Sequence, residues 1–107
     1  MRLIHIVSEA DLDLLNIGVY LQSKSPDASV RFVSAVEKTL DELAKNPEIG
    51  ARCATKKPSL AGLRIWQVRG FKSYLIFYRF TTEQLEVVRV RHSSTDWVGL
   101  FQSENPA

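Results

Sequence analysis

The chain begins with a short apolar, β-branched run, passes into two stretches with a three-to-four-residue apolar rhythm, and ends in three runs that alternate every second residue. The opening "RLIHIV" predicts a strand. From Ser8 the rhythm is helical, with Leu14, Ile17 and Leu21, flanked by Leu15 and Tyr20, forming a stripe that carries a helix to about Ser23. Ser8 followed by Asp11 predicts a capping-box-like start, the serine hydroxyl satisfying a free backbone N–H while Glu9 and Asp11 complement the helix dipole. "SKSPDAS" interrupts this helix, because proline disfavours the α conformation in the residue before it and suits the start of a new helix. The second helix begins near Pro26 or Asp27. Ala28, Phe32, Ala35, Val36, Thr39, Leu40 and Leu43 follow on one face, with Arg31, Ser34, Lys38, Asp41, Glu42 and Lys45 on the rest, and "KNPEIG" ends it at Asn46. With so short a connection the two helices form an antiparallel hairpin.

From Pro47 to Gly62 no period is visible, and "ARCATKKPSLAG" predicts a basic loop long enough to be functional. Strands are then predicted from Leu63 to Arg69, Ser73 to Thr81 and Leu85 to His92, with "GFK" and "TEQ" as hairpin-sized connections. In the middle run Tyr74, Ile76, Tyr78 and Phe80 point one way and Leu75 and Phe77 the other, so this strand is apolar on both faces and belongs at the centre of the sheet. The helical hairpin covers one face. The other needs either the C-terminal segment, through Trp97, Leu100 and Phe101, or another polypeptide. The fold class expected is α+β: an N-terminal strand, an antiparallel helical hairpin and a three-stranded antiparallel meander. A single domain is expected over residues 1–107, with 93–107 as a C-terminal tail.

Charge adds something the apolar pattern does not carry. The net charge is only +2, but from Ser8 to Asn46 seven acids face four bases, whereas from Ala51 to His92 nine bases face only Glu83 and Glu86. That basic half suits a polyanion or an acidic protein partner. Cys53 is the only cysteine, so no intrachain disulfide can form and a reducing cytoplasm is expected. No run is long and apolar enough for a signal-peptide core or a membrane span. Metal-ligand spacing is absent and Gly50, Gly62 and Gly70 are too scattered for a phosphate loop, so no metal or cofactor is expected. Arg52, Lys56 and Lys57 would lower the Cys53 thiol pKa, but no general base is placed to use it.

The order of elements resembles the ParE branch of the ParE/RelE toxin superfamily, the toxins of bacterial toxin–antitoxin pairs. The resemblance lies in "DLDLLNIGVYL", "LAKNPEIG", "GLRIWQVRGFKSYLIFYRF" and "VVRVRHSSTDW", taken in that order and spacing. It implies a toxin that inhibits DNA gyrase by binding, is neutralised by a ParD-like antitoxin, and has no catalytic residue. Arg64, Trp66, Arg69, Arg79, Arg89, Arg91, Trp97 and Phe101 are the expected partner-binding residues. The RelE-like alternative is a ribosome-dependent mRNA endonuclease. That chemistry needs a base for the 2'-hydroxyl, an acid for the leaving oxygen and positive charge on the phosphorane-like transition state. His92 with Arg89 and Arg91 is the candidate set; His5, in the first strand, suits a packed or rim residue. The ribonuclease branch commonly carries a tyrosine or second histidine after the position of His92, whereas this chain reads "SSTDWVGLFQSENPA", where Trp97 can stack but exchanges no proton at useful pH. The chain also has Thr95 where ParE members often have an arginine before the aspartate matching Asp96.

Overall fold

The computed structural model describes residues 2–53 and 61–94. The expectations for Lys56, Lys57, Thr95, Asp96, Trp97, Leu100 and Phe101 lie outside these residues. The elements are β1 (Leu3–Ile6), α1 (Ser8–Lys24), α2 (Pro26–Lys45), a 3-10 turn η1 (Pro47–Ile49), β2 (Ala51–Arg52), β3 (Arg64–Val68), β4 (Phe71–Phe80) and β5 (Gln84–His92).

α2 forms where its single apolar face demands it. Phe32, Val36, Thr39, Leu40, Leu43 and Ala44 are buried along it. Proline stands at its first turn, and the Ser25 side chain accepts a hydrogen bond from the backbone N–H of Ala28, satisfying a donor the helix cannot. Ser25→Ala should therefore lower stability by about 1 kcal/mol, seen as a lower urea midpoint at unchanged slope.

α1 departs from its sequence reading in two ways. Its N-cap is Val7, whose extended backbone leads into the helix with no side-chain cap, and the Ser8 hydroxyl lies 3.4 Å from the Glu9 carboxylate instead. The carbonyl of Val7 accepts from Asp11 N–H, so the first turn closes on backbone alone. Leu14, Ile17 and Leu21 pack on the core as expected, but Leu15 and Tyr20 do not join them: they are 62% and 54% exposed. With Leu12 and Val19 also exposed, α1 is apolar on its outer side as well, because 100° per residue carries Leu12, Leu15 and Val19 away from the sheet. The Ser29 hydroxyl, donating to the carbonyl of Gly18, ties α2 to α1.

The sheet has five strands in the order β1-β5-β4-β3-β2, so the meander gains a strand at each edge. β1 runs parallel to β5, with Leu3 opposite Gln84 and Ile6 opposite Val87, and stops there. β2 lies in the region read as a patternless loop. It pairs with β3 through Ala51–Ile65 and Arg52–Arg64, two pairs that are too few to leave a period in the sequence. β4 occupies the centre, as its two apolar faces require. Tyr74, Ile76 and Tyr78 pack under the helices with Phe32, Leu40 and Leu43, while Phe77 is fully buried with Leu63 in a second cluster flanked by Cys53, Ile65, Leu75 and Val88. Among the described residues, no helix is long and apolar enough to cross a membrane.

Candidate functional site

Because β1 ends at Ile6 opposite Val87, the edge of β5 from Val88 onward has no strand beside it among the described residues. A bulge in the β4–β5 pairing between Phe77 and Tyr78 shifts the register there, and beyond it the backbone N–H of Val90 points off that free edge. The Asp13 carboxylate, reaching down from α1, takes this N–H at 3.0 Å through Oδ2. A side chain thus substitutes for the missing strand.

Asp13 also receives the Arg89 guanidinium in a two-pronged contact, Nε to Oδ2 at 2.7 Å and Nη2 to Oδ1 at 3.0 Å. Arg91 adds a looser contact, Nη1 to Oδ1 at 3.5 Å. Arg89 and Arg91 stand opposite Phe77 and Leu75 in the register, on the face away from the helices, and reach round the edge to α1. The carboxylate is only 6% exposed and Arg89 13%, so both charges are largely out of water and their pairing is what offsets the desolvation.

Above this junction a groove of about 520 Å³ opens between α1 and the end of β5. Ile17, Val90 and the ring of Tyr74 line it together with Tyr20, Asn16, Arg91, His92 and Ser94. The Tyr74 ring meets His92 edge-on, with centroids 5.1 Å apart. His92 Nδ1 accepts from the backbone N–H of Ser94 at 3.1 Å and lies 2.7 Å from its hydroxyl. That occupies the Nδ1 lone pair and leaves the ring proton of the neutral imidazole on Nε2. Burial, with Tyr20 adding to it, pushes the Tyr74 hydroxyl above the ordinary tyrosine value, so Tyr74 is a neutral donor at physiological pH. The groove therefore presents N–H and O–H donors over an apolar floor.

The other residues singled out in the sequence lie apart from it. Arg64 is turned inward: its guanidinium donates to the carbonyls of Glu48 and Gly50 and lies over the Phe80 ring, so it secures the η1–β2 corner. Trp66 stands opposite Ile76 and packs half-buried on the main core. Arg69 sits at the β3–β4 turn, its side chain exposed beside Glu42 at 3.5 Å and its backbone N–H held by the Thr39 hydroxyl. Arg79 faces Glu86 across the strands at 2.6 Å. His5 is an exposed residue of the edge strand, opposite Glu86. Burial pushes the Cys53 thiol up, against the lowering expected from its basic neighbours, which keeps it a thiol. Among the described residues no cluster of His, Cys, Asp or Glu could hold a metal ion.

Sequence reading missed Asp13, Asn16, Tyr20 and Tyr74 as members of one site. Asp13 did leave a signal, since it falls on the arc of α1 that holds Ala10, Leu14 and Ile17, and an acid in a buried stripe requires a partner.

A family profile described as the ParE toxin of type II toxin–antitoxin system, parDE, matches residues 4–97. Eleven chains of solved structures match the fold. One of them, from the chromosomal ParDE TA system of P. aeruginosa, superposes with a TM-score of 0.66 over 86% of this chain and 96% of that chain, at 17% identity, a likeness of fold. No curated protein is a significant match.

Proposed function

The chain belongs to the ParE toxin family of type II toxin–antitoxin systems, and from that premise we propose that it is a toxin that acts by binding, with DNA gyrase as its target and a ParD-like antitoxin as its neutralising partner. The antitoxin finds support in the likeness to the chromosomal ParDE TA system of P. aeruginosa. The mode of action rests on one observation, the state of Arg89, Asp13 and His92. RNA cleavage would need a free base, a free acid and arginines aimed at a phosphate. Here Arg89 is bonded inward to Asp13, the Asp13 carboxylate is taken up by Arg89, Arg91 and Val90 N–H, and the Nδ1 lone pair of His92 is held by Ser94. What is left facing the groove are donors, which suit recognition.

Two assays run on the purified chain distinguish the mechanisms: gyrase supercoiling with DNA cleavage, and mRNA cleavage on translating ribosomes. Gyrase inhibition without mRNA fragments is the expected result. His92→Gln sharpens the distinction, since glutamine keeps hydrogen-bonding capacity but has no ring nitrogen to exchange a proton. As a binding toxin, the variant should still inhibit gyrase, to within about 10-fold of the parent, because the glutamine amide can donate in place of Nε2–H and about one hydrogen bond is at stake. As a ribonuclease it should lose about 100-fold or more in rate. Fragmented mRNA from the parent, abolished in a folded His92→Gln protein, would overturn the gyrase reading.

A further inference from the structure

From the groove at the α1–β5 junction we infer the chemistry of what it holds: the C-terminal carboxylate of a partner polypeptide that ends in an apolar or aromatic residue, bound by Arg91 and seated against the rings of Tyr20, Tyr74 and His92. The inference rests on the reading that the chain works by binding, and it names the group recognised.

Arg91 carries the argument. Among the described residues its only ionic contact is the 3.5 Å approach of Nη1 to Asp13, whose oxygens are already engaged at 2.7 to 3.0 Å by Arg89 and Val90. The guanidinium has five N–H donors in a fixed fork, so most of its capacity is unused by the described residues. The side chain is 32% exposed and lines the groove, a place where water screens a charge incompletely and a carboxylate would be bound in two-pronged fashion. His92 offers Nε2–H beside it, given that Ser94 holds Nδ1, and the Asn16 amide lies on the same wall. No acid other than Asp13 lines the groove among the described residues.

The surroundings of Arg91 select the body that carries the anion. Ile17, Val90, Tyr74 and Tyr20 make an apolar seat for an aliphatic or aromatic group, with ring faces and edges available for stacking. A nucleic acid fits less well. Tracking a phosphate backbone takes several cations in a row, whereas Arg91 is the only cationic side chain lining the groove among the described residues, and the neighbouring Arg89 is bonded to Asp13.

The test uses the full chain, labelled for NMR, and three small probes: N-acetyl-phenylalanine, its amide, and uridine 5'-monophosphate. N-acetyl-phenylalanine should shift the signals of His92, Tyr74 and Tyr20, and the amide should bind about 10-fold more weakly, one charge-assisted hydrogen-bonded contact being lost. Arg91→Gln should erase the difference between acid and amide, and Arg91→Lys should restore part of it. Equal binding of acid and amide by the parent chain overturns the inference without touching the gyrase assay. Tighter binding of the nucleotide than of the acid also overturns it and makes the groove a nucleotide site. Because the acid–amide comparison needs no mutation, a variant that fails to fold leaves the result intact.

Discussion

Asp13→Ala should cost about 3–5 kcal/mol of folding stability, the penalty for breaking a buried ion pair from one side. Three groups lose a contact at once: the Arg89 guanidinium, the looser contact of Arg91, and the backbone N–H of Val90. The exposed pair Arg31–Asp27 offers the contrast, since its side chains are 63% and 79% exposed and water replaces what is lost, so Asp27→Ala should change stability by less than about 1 kcal/mol. Against a total of about 5–15 kcal/mol for a domain of this size, the Asp13 variant gives up a large share. Urea denaturation followed by tryptophan fluorescence reads both. A second substitution identifies the cause: Asp13→Ala combined with Arg89→Met removes both charges of the pair and should recover part of the loss. If the double variant is as unstable as the sum of the singles, the damage lies in packing and not in the charge. Charge reversal at Arg89 is consequently no probe of the toxin surface, because a glutamate there would face Asp13.

Gly50→Ala is expected to destabilise by about 3 kcal/mol, an overpacking cost at the upper end of its usual range. The backbone at Gly50 is ordinary extended chain, φ −70° and ψ 147°, so any residue could adopt it. Space is what forbids a side chain. A β-carbon would overlap the ring and hydroxyl of Tyr78, which is fully buried at the centre of the sheet and cannot give way. The same hydroxyl accepts from Gly50 N–H at 2.9 Å and donates to the carbonyl of Pro47 at 2.7 Å, so displacing the ring also breaks the lock on the η1–β2 corner. Tyr78→Phe alone should cost about 1–3 kcal/mol by orphaning those two backbone groups. The pair should cost less than the sum, since the overlap shrinks when the hydroxyl is gone; strict additivity in a thermal-melt double-mutant cycle would rule out the contact. Gly70 behaves differently. Its φ of +82° favours glycine although nothing crowds it, so Gly70→Ala should cost on the order of 1–2 kcal/mol through backbone strain.

What the sequence revealed depended on how local the cause was. α2 was legible because one face repeats over twenty residues, and β4 because its apolar residues occupy both faces of a central strand. The start of α1 was misread: Ser8 has the right side chain, yet Val7 holds the cap position through the hydrogen bond of its carbonyl with Asp11 N–H. β2 was invisible because two residues carry no period and are held by groups distant in sequence, Arg64 and Tyr78. The candidate site divides in the same way. His92, Arg89 and Arg91 were named from residue type and position. Whether an arginine points to solvent or back to Asp13 depends on where β1 stops beside β5, and nothing near either arginine in the chain encodes that.

The parallel pairing of β1 with β5 ties a segment made before the helical hairpin to one made after the rest of the sheet. Leu3 waits for Gln84, and Asp13 for Arg89 and Val90. During synthesis the helical hairpin can close early, its contacts being local, but the sheet that buries it has no outer edge until β5 emerges. A nascent chain halted before Gln84 has the helices and lacks the strand that both β1 and α1 require, so the folded toxin comes into being only after β5 has been made.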